Sequence, residues 1–415
     1  MPARHMPVRP DLLQLKHQAK DLLRAIRRGD PAAIADLEQY HPTPVDPAAA
    51  RLSDAQVTLA RSYGLTSWPR VVLACNLIDA IWRDDAAAIR KLVLRHPTLL
   101  EEDARGVKGN WGPPMSYAAN LGRDRIIAML RELGADDVQF AFERAVLQGR
   151  IETANLLATM GARPQRDSIM GPAETLSGRG MAHLLSLGAE ISDEHGDRFG
   201  PVAMVLETYG RNPAGKHECL ELLATHGIDL PDTAPMAVHR GRLDLLERLR
   251  RADPSVVSRT YTHQDIFPPS LGCHADESLA LHGTPLGGAT LLHMAIDFDE
   301  MEIARWLLDH GASADGRADV DADGFGGHTP LFSAVVSQVH RARRPNDDSF
   351  ARLLLDRGAN PNVRASLRKR LPFTDDESMH EYRDVTPIAW GRQFHDQLWV
   401  SDAAMRLIAE HGGSE

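Results

Sequence analysis

Apolar residues recur along this chain in short groups that close at a glycine or an aspartate. From about residue 110 onward, the closing residues form pairs that stand twelve positions apart: Gly122 and Gly134, Gly149 and Gly161, Gly241 and Asp253, and Asp299 and Gly311. Between the members of each pair lie Leu, Ile, Met or Trp residues at helical spacing. The pattern predicts repeated helical units, none of which can bury its apolar face alone. Because stacked neighbours would bury these faces, we expect an all-α solenoid.

Two segments repeat one phrase almost completely. The first spans residues 290–312 and begins TLLHMA, and the second spans residues 329–362 and begins TPLFSA. A threonine caps a helix, a proline fits its first turn, and a glycine can end it in the left-handed conformation. The phrase resembles the ankyrin repeat, which reads T-P-L-H-x-A-A and continues to L-L-L-x-x-G-A-D-x-N. The resemblance implies an ankyrin-repeat solenoid of about eight or nine degenerate helix pairs.

The pattern divides the chain into four segments. Residues 1–75 carry apolar residues at helical spacing and resemble the helical leader found ahead of many bacterial ankyrin-repeat proteins, so we expect an N-terminal helical cap. Degenerate repeats follow at 76–257, an inserted loop at 258–289, and clearer repeats with finger insertions at 290–415. Loops this long in a compact solenoid are usually functional or disordered. The sequence leaves open whether 258–289 and 363–384 are ordered.

Composition narrows the class of function. The chain has 57 acidic residues against 47 Lys and Arg, a formal net charge of −10, which disfavours sequence-independent binding of nucleic acid. No apolar run reaches 18 residues, and the first residues lack the apolar core of a signal peptide. The three cysteines lie far apart, without metal or redox spacing. We therefore expect a cytoplasmic protein with neither a membrane nor a nucleic-acid partner.

The finger insertions contain groups suited to acid–base chemistry. His328 directly precedes the Thr329-Pro330 helix start, where the partial positive charge of a helix N-terminus would keep the imidazole neutral. Asp323 or Asp384 could orient it as a general base, and His380 is a further candidate acid or base. A structural role stays open, in which His328 bonds to backbone beside a glycine-rich turn. The histidine spacing fits no compact metal site, so neither metal nor cofactor is expected.

Other side chains of the insertions are candidate ligand contacts. They are Trp111, His282, Phe325, Arg368, Lys369, Tyr382 and Arg383. The resemblance adds Asp297, because it places this residue on the concave side of its repeat. Asp297 and Asp299 could act as paired carboxylates, but residues two apart on a helix do not face each other. We therefore expect both charges to be solvated.

Two functions stand as alternatives. The resemblance implies a binding protein that holds a protein partner in its concave groove. The finger residues also allow a metal-independent hydrolase, lyase or isomerase acting on a small polar or anionic ligand. Partner binding requires an open groove with an apolar centre, whereas catalysis requires an enclosed pocket with converged side chains. In the catalytic case, His328→Ala is expected to remove turnover and leave the fold intact.

Overall fold

The computed structural model describes residues 4–374 and 376–415. The chain forms two compact units, Met1–Arg163 and Pro164–Glu415, which we call unit 1 and unit 2. Both consist mainly of short helices in sequential pairs, and the predicted all-α architecture is confirmed. Among the described residues, no helix is long and apolar enough to cross a membrane. The domain boundaries expected at residues 75, 257 and 289 stay predictions.

Unit 1 starts with three helices that share one core. Asp11 caps the first helix by accepting hydrogen bonds from the backbone N–H groups of Leu13 and Gln14. Leu15, Leu22 and Ile26 lie at helical spacing and are buried in this core. The helices of unit 1 are α1 Leu12–Arg27, α2 Pro31–Tyr40, α3 Leu52–Ser62, α4 Trp68–Trp82, α5 Ala86–Arg95, α6 Pro114–Asn120, α7 Asp124–Glu132, α8 Val138–Leu147 and α9 Ile151–Thr159, with a 3-10 turn at Pro97–Leu100.

Unit 2 continues the pairs and adds two short antiparallel hairpins. Its helices are α10 Met170–Thr175, α11 Gly178–Ser186, α12 Gly200–Glu207, α13 Pro213–Thr225, α14 Ala234–His239, α15 Leu243–Ala252, α16 His263–Ile266, α17 Leu291–Asp297, α18 Met301–Asp309, α19 Pro330–Val335, α20 Gln338–Ala342, α21 Ser349–Asp356, α22 Pro387–Gln393 and α23 Asp402–Glu410. Its strands are β1 Thr260–Tyr261, β2 Ala289–Thr290, β3 Ala365–Lys369 and β4 His380–Val385, where β1 pairs with β2 and β3 with β4. Four 3-10 turns lie at Pro254–Val257, Pro269–Leu271, Glu277–Leu279 and Gln397–Trp399. The described residues of both long insertions, 258–289 and 363–384, therefore contain regular secondary structure.

The turn inside several of the helix pairs has a left-handed residue. Gly122, Gly149 and Gly241 stand there with φ of 68°, 63° and 64°, and Asp299 takes the same place with φ 63°. The Asp299 side chain is fully buried, and its carboxylate lies 3.2 Å from Arg343 Nη1 and 3.4 Å from Arg344 Nη1. The expectation that this charge is solvated is wrong, because Arg343 and Arg344 of the following repeat supply the countercharge.

A second buried ion pair joins distant parts of unit 2. Arg211 Nη2 lies 2.8 Å from Asp297 Oδ2, and both side chains are almost completely buried. Asp297 Oδ1 also accepts a 3.3 Å hydrogen bond from Ser337 Oγ. Asp297 therefore faces the interior, against the expectation of a solvated charge. Removing one partner of such a pair leaves an uncompensated charge inside the protein.

Arg211→Ala is expected to lower the free energy of unfolding of unit 2 by about 3–5 kcal/mol, because Asp297 loses its buried partner. Urea denaturation and hydrogen exchange of unit 2 peptides measure the loss. Arg248→Ala is the matched control: its pair with Asp232 is well exposed, so a change within about 0.5 kcal/mol is expected. Equal effects of the two substitutions would contradict a dominant role for the Arg211 pair.

Candidate functional site

Three loops of unit 2 are joined side by side by backbone hydrogen bonds. The Asp319 N–H donates to Gly288 O over 2.8 Å, and this links the end of the 258–289 insertion to the 316–328 loop. The Gly326 N–H donates to Ser366 O over 2.7 Å, and this links the 316–328 loop to β3. Because each bond fixes one loop on its neighbour, the three loops form one rigid layer rather than three separate fingers.

A cavity of about 520 Å³ lies within this layer, and we call it the finger cavity. Its walls come from residues 276–288, 319–328 and 367–379. Among the lining side chains that ionise are Glu277, His282, His328, Arg368, Lys369 and Arg370. Five predicted site residues therefore line one cavity: His282, Phe325, His328, Arg368 and Lys369. Glu277, Arg370 and the carboxylates of Asp276, Asp319 and Asp321 also line it, although sequence reasoning did not single them out as site residues.

Glu277 and His282 form the polar base of the 276–288 wall. Glu277 Oε1 accepts hydrogen bonds from the backbone N–H groups of Leu286 and Gly287, at 3.1 and 2.7 Å. Burial opposes its ionisation, but His282, the Gly287 N–H and the Lys369 charge outweigh this effect and hold the pKa of Glu277 well below its usual range. The carboxylate is therefore ionised at neutral pH.

His282 is buried without hydrogen bonds of its own. The residue is 1% exposed, and neither ring nitrogen has a hydrogen-bond partner among the described residues. Its Nε2 lies 3.5 Å from Glu277 Oε1, too far for a good hydrogen bond. Burial, followed by the charge of Lys369, lowers the pKa of His282 to about 4. The imidazole is therefore neutral, and its buried ring nitrogens lie beside Glu277 in the wall of the cavity.

Lys369 ends β3 with its side chain inward. The residue is 4% exposed, and its Nζ donates a 3.0 Å hydrogen bond to Ala280 O, the one hydrogen bond it makes to the described residues. Burial lowers the pKa of Lys369 to about 8, although the charges of Glu277 and Asp297 oppose the shift. An ammonium has three N–H donors. Two of them therefore stay available to a ligand.

His328 is fixed to the backbone on both sides. Its Nε2 donates to Pro285 O over 3.0 Å, which defines the tautomer, and its carbonyl accepts from His293 Nε2 over 3.2 Å. Burial lowers the pKa of His328 to about 4. The imidazole is therefore neutral as predicted, but burial, and not the field of the following helix, is the main cause. No hydrogen bond joins it to Asp323, Asp384 or His380 in the part of the chain that the structure describes.

The other predicted acid–base residues are engaged elsewhere on the fingers. Asp323 Oδ2 pairs with Arg368 Nη1 over 3.0 Å, and Asp384 Oδ2 pairs with Arg364 Nη1 over 3.0 Å. His380 Nε2 lies 2.9 Å from Asp376 Oδ2. The geometry does not assemble these groups around His328, so their catalytic roles stay predictions.

The remaining candidate contacts fall into separate clusters. Arg368 and Arg383 both lie over the ring of Phe325, at 4.9 and 4.3 Å from its centre. Tyr382 is buried, and its hydroxyl lies 2.7 Å from His395 Nδ1. Trp111 belongs to unit 1, where its ring lies 4.7 Å from that of Tyr117. The Asp297 carboxylate is already bound in its ion pair with Arg211.

Residues 236–365 match the family model of ankyrin repeats, in three copies. This part of the chain is built of ankyrin repeats. The match includes the repeats recognised at 290–312 and 329–362, and it also spans β1, β2 and most of the finger cavity loops. No curated protein matches the chain. Among solved structures, the ankyrin repeat domain of human ASB11 is similar at 16% identity, covering 73% of this chain and 99% of that chain, with a TM-score of 0.29.

The structural role of His328 makes a testable difference at pH 7. His328→Ala removes the bond to Pro285 O and the buried ring, so we expect a loss of about 2 kcal/mol in the free energy of unfolding. This differs from the expectation of an intact fold.

Because the pKa of His328 is about 4 in the folded state and about 6.5 in the unfolded state, the wild type loses stability as pH falls between these values. The variant lacks this group, so its deficit should shrink towards pH 4 in urea denaturation. His195→Ala, at a well-exposed ring, is the control; a pH-independent deficit would contradict the prediction.

Proposed function

We propose that this protein is a binding protein whose unit 2 holds a protein partner against the mouth of the finger cavity. The observation that carries the proposal is a set of exposed apolar side chains on the three joined loops, which we call the rim. The rim comprises Leu279, Val320, Phe373 and Met379. Val320 and Met379 also line the finger cavity. Ankyrin repeats generally bind other proteins, and this supports the same assignment.

The composition of this surface suits a protein partner. Single exposed apolar residues are ordinary on any protein, but four on joined loops, two of which line one cavity, indicate a contact site. A partner that covers them gains about 25 cal/mol for each Å² of apolar surface removed from water. Arg368 and Arg370 lie at the same cavity. Apolar centres with arginines nearby are typical of protein interfaces.

Phe373 is the most exposed member of the rim and has an unfavourable backbone. Its relative exposure is 82%, and its φ is 63°. A bulky residue with positive φ is an outlier, and such strain is found mainly at functional sites. Its N–H donates to Glu377 Oε1 over 2.8 Å, which helps to hold the turn. An aromatic ring that is strained and solvated in its own fold is best explained by a contact outside that fold.

Phe373→Gly is expected to change the free energy of unfolding by no more than about 1 kcal/mol, because glycine accepts the positive φ and little buried surface is lost. The same change should weaken partner binding severalfold. A photo-crosslinking phenylalanine analogue at position 373, introduced in the source cells, should form one discrete protein adduct. Val320→Asp with Met379→Asp should abolish that adduct.

The matched control uses Leu398, which is 68% exposed in the same unit and lies in the turn Gln397–Trp399, outside the three joined loops. The crosslinker at position 398 should give no such adduct, and Leu398→Asp should leave the adduct at 373 unchanged. An adduct that is independent of Val320 and Met379, or common to both positions, would refute the rim as the binding surface.

A second candidate function is an enzyme or carrier for a small polar ligand within the cavity. The presence of Glu277, His282 and Lys369 around one cavity favours it. This function requires groups at the base of the cavity, whereas partner binding requires the rim. Substitutions at the two levels therefore separate the candidates.

A further inference from the structure

Lysine is rare in this chain, and its placement in unit 2 differs from that in unit 1. The chain has 47 Lys and Arg residues, and its lysines are at positions 16, 20, 91, 108, 216 and 369. Unit 2 thus has only Lys216 and Lys369, and both are buried, at 3% and 4% exposure. Arginine keeps its charge in proteins, whereas a buried lysine can lose its proton and act as a nucleophile. The two lysines of unit 2 are therefore the groups to compare.

Lys216 has a closed environment. Its Nζ lies 3.7 Å from the centre of the Phe298 ring and donates to Leu206 O over 3.3 Å. It is not among the residues that line the finger cavity. Burial, followed by the charge of Arg211, lowers the pKa of Lys216 well below its usual value. The residue is therefore a buried structural lysine, and it offers an internal control for Lys369.

Lys369 has the same degree of burial but lies on a cavity. Its single hydrogen bond within the described residues, to Ala280 O, leaves donor capacity unused. His282, whose ring nitrogens are also unpartnered, lines the same cavity. Arg370 lines it as well: its Nη2 donates to Glu377 Oε2 over 3.3 Å, and its buried Nε has no hydrogen-bond partner among the described residues. An amine, a neutral imidazole and a guanidinium therefore meet at one ligand-sized space.

We propose that the finger cavity binds a small 2-oxo acid or aldehyde acid, and that the Lys369 amine forms an imine with its carbonyl group. Arg370 would hold the carboxylate, since a guanidinium recognises carboxylates through paired N–H donors. This inference goes beyond partner binding at the rim and does not depend on it.

The reaction balances without a further reagent. The Lys369 ammonium first releases a proton to solvent water, because the imidazole of His282, with a pKa of about 4, is too weak a base to accept it. The Nζ lone pair then attacks the carbonyl carbon, forming the C–N bond while the oxygen takes a proton. Loss of water gives the C=N bond, so one water leaves for each imine formed. The pKa of Lys369, about 8, supports the first step, because roughly a tenth of the amine is unprotonated at pH 7.

The test is reductive trapping on the full chain. The protein is incubated with glyoxylate and cyanoborohydride, and modified lysines are located by peptide mass spectrometry. Lys369 should react roughly tenfold faster than each of Lys16, Lys20, Lys91 and Lys108, with a rate that rises as pH passes through 8. Lys216 should stay unmodified, because its burial is equal but it does not line the finger cavity. A rate at Lys369 no higher than at the unit 1 lysines would overturn the proposal, as would equal labelling of Lys216.

Two variants and a second carbonyl compound separate the parts of the proposal. Lys369→Met should remove the fast phase and leave labelling of the unit 1 lysines unchanged. Arg370→Gln should slow trapping of glyoxylate severalfold but leave trapping of acetaldehyde, which lacks a carboxylate, unchanged. Equal slowing of both compounds would overturn the role of Arg370. Phe373→Gly should affect neither, so failure of the imine and failure of partner binding at the rim are distinguishable.

Discussion

The arrangement of unit 2 depends on the buried guanidinium of Arg211. All five of its N–H groups have an acceptor: Nε bonds to Asp297 O, Nη1 to Thr208 O and Gly210 O, and Nη2 to Leu281 O and Asp297 Oδ2, at 2.7–3.1 Å. A buried charge is tolerated only when its donors are satisfied in this way. One side chain therefore fixes the end of α12, the 276–288 wall and the end of α17. Since Leu281 precedes His282, it also fixes the histidine of the cavity.

The same burial that makes hydrogen-bond partners necessary for Arg211 also explains the protonation states of the side chains that line the cavity. Desolvation disfavours any charge that has no such set of bonds. His282 and His328 accordingly stay neutral, and the ammonium of Lys369 loses part of its preference for the charged form. Glu277 is ionised in spite of its burial, because His282, the Gly287 N–H and the nearby Lys369 charge favour its ionised form. The differences in protonation follow from local hydrogen bonding, with burial common to the histidines and Lys369.

Local sequence signals were enough to predict the helix pairs, because caps and turns are set within a few residues. Asp299 already stood in the repeat pattern at the place of a turn glycine, and the structure gives it the same positive φ. The pair of Arg211 and Asp297 could not be predicted, since 86 positions separate the partners. The burial of Lys369 had a signal that was overlooked: Ala365, Leu367 and Lys369 alternate along one face of β3, and all three are buried. Treating the insertion as a loop concealed that period.

Rigidity of the joined loops is what allows unpartnered groups to persist in the finger cavity. A separate, mobile loop would shift until His282 and Lys369 found acceptors or water, because an unmet buried polar group costs about 1–3 kcal/mol. Here the 316–328 loop is bonded to Gly288 on one side and to Ser366 on the other, so that movement would break backbone hydrogen bonds at both edges. Arg211 joins this layer to the helical repeats, because it bonds to Leu281 O in the 276–288 wall and to Thr208 O and Asp297 O at the ends of α12 and α17. The open donors and acceptors of the cavity are thus preorganised for a ligand, and binding need not first order the loops.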